Sequence, residues 1–252
     1  MECGQGDISP FTLFLWRMKK KWSTRIIDFY GSTRLQTPLP KDVEALYPFL
    51  NDKGIQRMVK GFYNKYYNDQ QPRTLILGIN PGRLGAGSTG IPFTDTKRLI
   101  DVCGIPCDGM HTHEPSSVFV YDAISAYGGP ELFYRDFYIS SICPIGFIKT
   151  AANKAVNFNY YDDKAFAQRL MPEIAEMLKQ QISWGLQTDN VIIFGTGQNL
   201  NYFEQLNQHY ELFKKVMPLE HPRFVMQYKQ KEKQAYIDKY LDVLQQALEV
   251  KQ

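Results

Sequence analysis

The segment TLILGINPGRLGAGSTGIPF, residues 74–93, joins an apolar run to a glycine-rich loop, and the rest of the chain can be interpreted from it. Its first six residues, TLILGI, are continuously apolar, which is typical of a strand buried on both faces. The next helix begins only near Thr94, with Asp95 placed to cap its N-terminus. A buried strand that enters a loop and then a helix predicts one unit of a parallel α/β sheet.

The same alternation of strands and helices continues towards the C-terminus. Further strands are predicted at FYISSI (137–142), at NVIIFG (190–195) and within FKKVMPLEH (213–221). Helices are predicted over 39–67 (two helices), from Thr94 to Cys103, over 116–129, over 162–185, after GTGQNL and from about Lys231. The pattern predicts one α/β domain over residues 18–252, with helices on both faces of a parallel sheet. Because Met18 is a second plausible start, residues 1–17 are interpreted as an N-terminal extension.

Composition sets broad limits on function. The chain has 252 residues and a formal net charge of +3, which permits a polyanionic partner without requiring one. Four cysteines in a chain of this length show no disulfide framework, so we expect a cytoplasmic protein. No apolar run has the length of a membrane-spanning helix, and we expect a monomer without a membrane partner.

Two other motifs in the chain suggest a cofactor or a metal, but their context is unfavourable. The glycines Gly85, Gly87 and Gly90 form G-x-G-x-x-G, yet a dinucleotide site needs the first glycine at the strand end and a helix opening through the third. No G-K-[ST] closes the loop, as a P-loop requires. Zinc-ligand residue types lie within 103–113, but in one short stretch rather than in two separated pairs. We therefore predict no cofactor and no metal.

In a parallel sheet the ligand site lies beyond the carboxyl ends of the strands. This rule selects GINPG (78–82), CPIGF (143–147), GTGQN (195–199) and EHPRF (220–224). After His221, apolar and aromatic residues are followed by lysines, including Lys229. Such a composition suits nucleic acid, and it suits equally a strand edge that leads into a solvated helix.

Together these motifs resemble a known family. GINPG (78–82), TGIPF (89–93), CP (143–144) and HPR (221–223) are similar to motifs of the uracil-DNA glycosylase superfamily, most of all to its single-strand-selective monofunctional branch. The segment 119–147 resembles the central helix–strand region of that branch, and the resemblance extends from about Pro72 to the C-terminus. It implies a three-layer α/β/α sandwich around a four-stranded parallel sheet. It also implies hydrolysis of the N-glycosidic bond of a damaged base flipped out of DNA.

The resemblance also assigns roles to individual residues. Asn80 would position the attacking water, Phe93 would stack on the flipped base, and His221 would hydrogen bond the base carbonyl as negative charge develops. The other residues expected to bind the base are Gly78, Ile79, Gly82, Ser140 and Ser141. Those expected to contact DNA are Arg83, Gly85, Ser88, Arg223, Phe224, Met226 and Lys229, with Lys149 as a further candidate for a phosphate.

Two departures from the branch affect specificity. Ser141, with Ser140 beside it, stands where the branch has an asparagine that reads the amide edge of the base. A hydroxyl cannot make the bidentate contact of an amide, so bases such as hydroxymethyluracil or xanthine become plausible substrates beside uracil. The second motif, which begins with HPR (221–223), also departs from the branch after Arg223. The wedge that fills the vacated space in the duplex is therefore expected from Arg223, Phe224 or Met226.

The sequence therefore predicts a monofunctional DNA glycosylase of base-excision repair, because no motif supplies a lysine for Schiff-base chemistry. Two alternatives remain at this stage. One is a catalytically degenerate nucleic-acid-binding protein of the same fold, which the altered motifs would allow. The other is a dinucleotide-dependent enzyme that uses the glycine-rich loop.

Overall fold

A computed structural model describes residues 20–151 and 154–249. The strands are β1 (Val43–Leu46), β2 (Arg73–Gly78), β3 (Phe137–Ser141), β4 (Gly146–Ala151), β5 (Lys154–Phe158), β6 (Leu186–Phe194) and β7 (Lys215–Leu219). The helices are α1 (Trp22–Ser32), α2 (Pro48–Asn51), α3 (Lys53–Tyr66), α4 (Ala86–Thr89), α5 (Thr96–Asp101), α6 (Pro115–Tyr127), α7 (Pro130–Asp136), α8 (Lys164–Ile182), α9 (Gln198–Tyr210), α10 (Pro222–Tyr228) and α11 (Lys233–Leu248). Two 3-10 turns lie at Tyr160–Asp162 and Gln230–Glu232.

The central sheet confirms the predicted fold class. Its four strands run in the order β3-β2-β6-β7, and every neighbouring pair is parallel. All six residues of β2 are buried, as a continuous apolar run in a doubly covered strand requires. Helices flank the sheet, which gives the predicted α/β/α sandwich. The parallel strands bring their carboxyl ends, and the loops that follow them, to one edge.

Local signals in the sequence account for several helices. In α3 the buried residues recur at helical spacing: Ile55, Met58, Val59, Phe62, Tyr63 and Tyr66. Asp95 caps α5 as predicted, since its carboxylate accepts from the backbone N–H of Arg98. Helix α8 continues through Pro172, which lies inside it. The sequence predictions of these helices are confirmed.

The prediction of a first helix within residues 39–67 is wrong. Residues 43–46 form strand β1, and only the single turn α2 follows it before α3. Strand β1 pairs antiparallel with β4, and β4 pairs antiparallel with β5, so a second, three-stranded sheet forms. The hydrogen-bond partners of β1 lie about a hundred residues away in a hairpin that the sequence analysis did not predict. Lys149 lies in that hairpin, opposite Val43.

The chain after β7 also differs from one of the open expectations. The residues that follow His221 are helical, in α10, rather than the edge of a strand. Pro222 occupies the first turn, where its missing N–H costs no hydrogen bond and its fixed φ favours a helix. His221 is therefore a helix cap at the end of a strand.

The predicted extension, residues 1–17, lies outside the described residues. Within 20–151 and 154–249, no helix is long and apolar enough to cross a membrane. The interpretation of residues 18–252 as one domain stays a prediction.

Candidate active site

A cavity of about 190 Å³ opens at the carboxyl edge of the central sheet. It brings together residues from separate parts of the chain that the sequence analysis had selected. They are Ile79, Asn80, Gly82, Phe93, Ser141, His221 and Arg223. Other residues expected at the site do not line this cavity: Gly78, Ser140, Arg83, Gly85, Ser88, Phe224, Met226 and Lys229.

Phe93 forms one wall of the cavity. Its ring lies 5.4 Å from the ring of Phe194, edge to face, and 5.6 Å from the imidazole of His221. Its backbone has φ of 52°, a left-handed conformation that costs an L-residue about 1–2 kcal/mol. Gly78 lies directly behind the ring. The side chain is thus confined on two sides and presents an aromatic surface to the cavity.

Asn80 is held by the backbone that follows strand β5. Its Nδ2 donates to the carbonyl of Phe158 at 3.2 Å, and its Oδ1 accepts from the N–H of Tyr160 at 3.4 Å. These two bonds fix which face of the amide points towards the cavity. The unpredicted hairpin therefore orients a residue that the sequence had identified.

His221 is set up as a neutral hydrogen-bond donor. Its Nδ1 accepts from the backbone N–H of Arg223 at 3.1 Å, so in the neutral ring the proton resides on Nε2. Burial, and then the charge of Arg223, lowers the pKa of His221 to about 4. At neutral pH the imidazole is uncharged, and its Nε2–H remains available for a ligand.

Ser141 ends strand β3 and pairs with Gly78 of β2. It lines the site cavity and also a second, mostly apolar cavity of about 40 Å³ behind it. The two cavities share Pro81, Ala86 and Pro92 as lining residues. Ser140 lines only the second cavity. The two serines therefore have different surroundings, and only Ser141 borders both spaces.

The glycine-rich loop is organised around its own backbone. The carbonyl of Gly82 accepts from the N–H groups of Gly85 and Gly87, at 3.0 and 2.8 Å. The N–H of Arg83 donates to Oδ1 of Asn157 at 2.9 Å, while the Oγ of Ser88 donates to the carbonyl of Arg83. The helix that follows Gly85 is the single turn α4, not the long helix of a dinucleotide fold.

The second motif presents side chains with different exposure. Arg223 is exposed and reaches the cavity. Phe224 is 40% exposed, and its ring packs at a tilt against Tyr228, with the centroids 5.6 Å apart. Met226 is half-buried against the core. Lys229 forms an ion pair with Glu232 at 3.0 Å.

Four polar residues of the cavity were missed by the sequence analysis: Glu114, Ser116, Asn157 and Asn159. Asn157 and Asn159 lie at the end of the unpredicted hairpin, so no local signal marked them. Glu114 directly precedes Pro115, the first residue of α6, and proline at that position does predict a helix start. No sequence pattern indicated that the Glu114 side chain would enter the site.

The segment with zinc-ligand residue types has other contacts. The Sγ of Cys103 lies 3.3 Å from the hydroxyl of Tyr121, and both groups are buried. His113 is 67% exposed and lies 3.8 Å from Asp95. Within 20–151 and 154–249, no group of three or more His, Cys, Asp or Glu side chains is arranged to hold a metal ion.

Comparison with known proteins agrees with this geometry. The model of the uracil DNA glycosylase superfamily matches residues 64–245. Among solved structures, the crystal structure of wild-type SMUG2 from Pedobacter heparinus is 47% identical in sequence, with a TM-score of 0.87. That alignment covers 89% of this chain and 97% of the other. No curated protein matches the chain.

Proposed function

The chain belongs to the uracil DNA glycosylase superfamily, and we propose that it is a monofunctional glycosylase that hydrolyses the N-glycosidic bond of a deaminated base flipped out of DNA. Family membership supports a DNA glycosylase of base-excision repair. The assignment of the reaction to particular residues is the proposal.

One observation carries the proposal: Asn80 and His221 converge on a single cavity beside Phe93. A base must leave the duplex stack before its glycosidic bond can be reached, which costs a few kcal/mol, roughly. Stacking on an aromatic ring such as Phe93 recovers about 1–3 kcal/mol per base. The cavity is therefore suited to hold an extruded base.

The proposed roles of the residues follow from the charges that develop on the base and on the sugar during the reaction. As the glycosidic bond breaks, the base departs as an anion while the sugar acquires positive charge. The Nε2–H of neutral His221 donates to the base oxygen where negative charge accumulates, which stabilises the transition state more than the ground state. Because the electron-poor sugar carbon needs only a positioned water, the amide of Asn80 is sufficient to hold the nucleophile. Of the described residues that line the cavity, none is a lysine, which supports hydrolysis rather than Schiff-base chemistry.

The range of bases depends on Ser141. Its hydroxyl rotates to donate or accept one hydrogen bond, so it discriminates less sharply between base edges than an amide does. The second cavity behind Ser141 adds space at the same point. We propose that the enzyme accepts uracil together with other deaminated or oxidised bases, such as xanthine or hydroxymethyluracil.

DNA contacts are proposed at the rim of the cavity. Exposed Arg223 and Arg83 are placed to contact phosphates. The backbone N–H groups of Gly85 and Ser88 already donate within the loop, to the carbonyls of Gly82 and Gly85, so they are weaker candidates. Of the three candidates for the duplex wedge, Phe224 is the exposed aromatic side chain, whereas Met226 packs against the core. We therefore propose Phe224 as the wedge.

The decisive experiment measures release of free base from oligonucleotides that contain uracil, hydroxymethyluracil, xanthine or hypoxanthine. The wild-type protein should release base from at least one of them and leave alkali-labile abasic sites without cutting the strand. Asn80→Ala and His221→Ala should each lose about 100-fold or more in single-turnover rate, because each removes a group that acts in the transition state.

Binding to the same oligonucleotides should survive in both variants. Both should remain folded, with a small loss of stability from the removed helix cap of His221 or the removed hydrogen bonds of Asn80. Base release at the wild-type rate by both variants would refute the assignment of roles. DNA binding without release of any base would favour the catalytically degenerate alternative.

A further inference from the structure

The carboxyl group of Glu114 is a polar group of the site for which the proposed reaction has no role. It lines the same cavity as Asn80 and His221. Its Oε2 is buried and has no hydrogen-bond partner among the described residues. An unsatisfied buried oxygen is unfavourable, so its presence at a binding site indicates that a ligand supplies the partner.

The position of this carboxyl is tightly constrained by the glycine-rich loop. A Cβ at Gly85 would lie 2.7 Å from Oε1 of Glu114, so the carboxyl occupies the space that a side chain at position 85 would need. The backbone N–H of Glu114 donates to Oδ2 of Asp95 at 3.1 Å, which ties the residue to the capped end of α5. The group is therefore held at the cavity rather than free to turn towards solvent.

The carboxylate of Asp95 places a negative charge beside the carboxyl group of Glu114. Burial opposes ionisation of Asp95, but hydrogen bonds from Glu114 N–H and other donors hold its pKa below the usual range. Arg98 contributes both its N–H and its guanidinium, which lies 3.2 Å from Asp95. The Nδ1 of exposed His113 lies 3.8 Å from Oδ2 of the same Asp95 carboxylate. The nearby cation Arg98 is thus engaged by Asp95, not by Glu114.

The remaining charged groups face Glu114 from the second motif and the loop. Arg223 lines the cavity but makes no ion pair with Glu114 in the described structure. Arg83 is exposed in the loop, and His221 is neutral at the pH values of interest. Burial first, and then the charge of Asp95, raises the pKa of Glu114 to about 7, although Arg223 opposes the shift.

A carboxyl in its neutral form has an O–H donor, whereas an ionised carboxylate only accepts. DNA presents acceptor oxygens on its phosphates and on base carbonyls, and a second anion at this cavity would repel a polyanion. We propose that Glu114 is a binding residue that acts in its neutral form, donating a hydrogen bond to an acceptor oxygen of the bound nucleotide. This inference rests on the proposed function, because it takes the flipped nucleotide as the ligand of the cavity.

The test compares wild type, Glu114→Gln and Glu114→Ala for DNA affinity between pH 6 and pH 8.5 at constant salt. Glutamine keeps a donor of similar shape and cannot ionise. The wild type should bind at least about tenfold more weakly at pH 8.5 than at pH 6, since most of an acid with a pKa near 7 is then ionised. Glu114→Gln should match the wild type at pH 6 within about threefold and stay flat, and Glu114→Ala should bind weakly at both.

Two DNA ligands distinguish the possible acceptor oxygens. One contains a tetrahydrofuran abasic analogue, which has phosphates but no base, and the other contains uncleavable 2′-fluorodeoxyuridine. A pH effect on both assigns the contact to the phosphodiester, and an effect on the second ligand alone assigns it to the base. His113→Gln is the matched control for a neighbouring titratable group, and it should keep the wild-type pH dependence.

Three results would overturn the inference. Loss of binding by Glu114→Gln at pH 6, in a variant that is still folded, would show that a neutral donor of similar shape cannot replace the carboxyl group. A wild-type alkaline decline in Glu114→Gln would mean that another group titrates, and wild-type binding by Glu114→Ala would mean that the side chain makes no contact. All three results are measured as DNA affinity, whereas the proposed function is tested by base release. Failure of the inference can therefore be distinguished from failure of the proposed function.

Discussion

Gly78 and Phe93 are packed so closely that a Cβ at position 78 would lie 2.9 Å from Cε2 of the Phe93 ring. The strand end and the wall of the cavity thus depend on each other. Gly78→Ala should push the ring into the space proposed for the base and lower kcat/KM about 10- to 100-fold, with a loss of about 1–3 kcal/mol in unfolding free energy from overpacking. Excision kinetics and denaturant titration measure both effects.

Gly61→Ala supplies the matched control for this change. A Cβ at Gly61 meets only Ile105, at the ordinary distance of 3.5 Å, and the residue lies inside α3. Alanine there should preserve excision and stabilise the helix by up to about 1 kcal/mol. Equal activity in the wild type and Gly78→Ala would contradict the proposed role of the Phe93 surface.

The Gly78–Phe93 contact also illustrates what the sequence could predict. The buried run before the loop predicted strand β2, and the strand-end rule selected Asn80 and His221, which do meet at one cavity. Ser141, which lines the same cavity, was selected only by the family resemblance. The roles of these residues came from the family resemblance and remain predictions. Local pattern could not predict the hairpin of β4 and β5, because its pairing with β1 joins residues about a hundred positions apart. For that reason Asn157 and Asn159 were missed.

The protonation state of His221 gives a second prediction. An ordinary histidine, with a pKa near 6.5, is mostly charged at pH 5.5, whereas burial should keep His221 neutral there. The bond from Arg223 N–H to Nδ1 should also fix the Nε2–H tautomer. Nitrogen NMR of the imidazole should show one neutral tautomer at pH 5.5, and a cationic ring would rule out the proposed neutral donor.

Base selectivity should respond to the side chain at position 141. Ser141→Asn introduces an amide that pairs with the N–H and C=O groups of uracil, and the cavity behind the residue leaves space for the larger side chain. We expect the ratio of kcat/KM for uracil to that for xanthine to rise about tenfold, equivalent to about 1.4 kcal/mol. Ser140→Asn, which borders only the rear cavity, is the comparison. The same change of ratio in both variants would argue against specific reading by Ser141.

We expect the hairpin to affect catalysis through Asn157, which ties the glycine-rich loop to strand β5. Its Oδ1 accepts from the N–H of Arg83, and its loss would leave the glycine-rich loop without this tie. Asn157→Ala should lower kcat about tenfold through misplacement of the loop, with little change in melting temperature, because Asn157 lies in an exposed strand. Asn157→Asp keeps the acceptor and should recover most of the rate. Failure of that rescue would indicate that the amide nitrogen of Asn157 is the important group.

Stability should depend on pH through Glu114 in a defined direction. The pKa of this acid is raised from 4.5 to about 7 in the folded state, so the native protein binds more protons than the unfolded chain between these values. Its contribution to stability is therefore complete below pH 4.5 and is lost as the pH rises to about 7. Glu114→Gln removes this loss, so the variant should gain about 1–3 kcal/mol over the wild type at pH 8 and show a shrinking advantage towards pH 4.5. Urea unfolding at both pH values measures the difference. A constant difference across this range would mean that Glu114 ionises in the folded protein as it does in the unfolded chain.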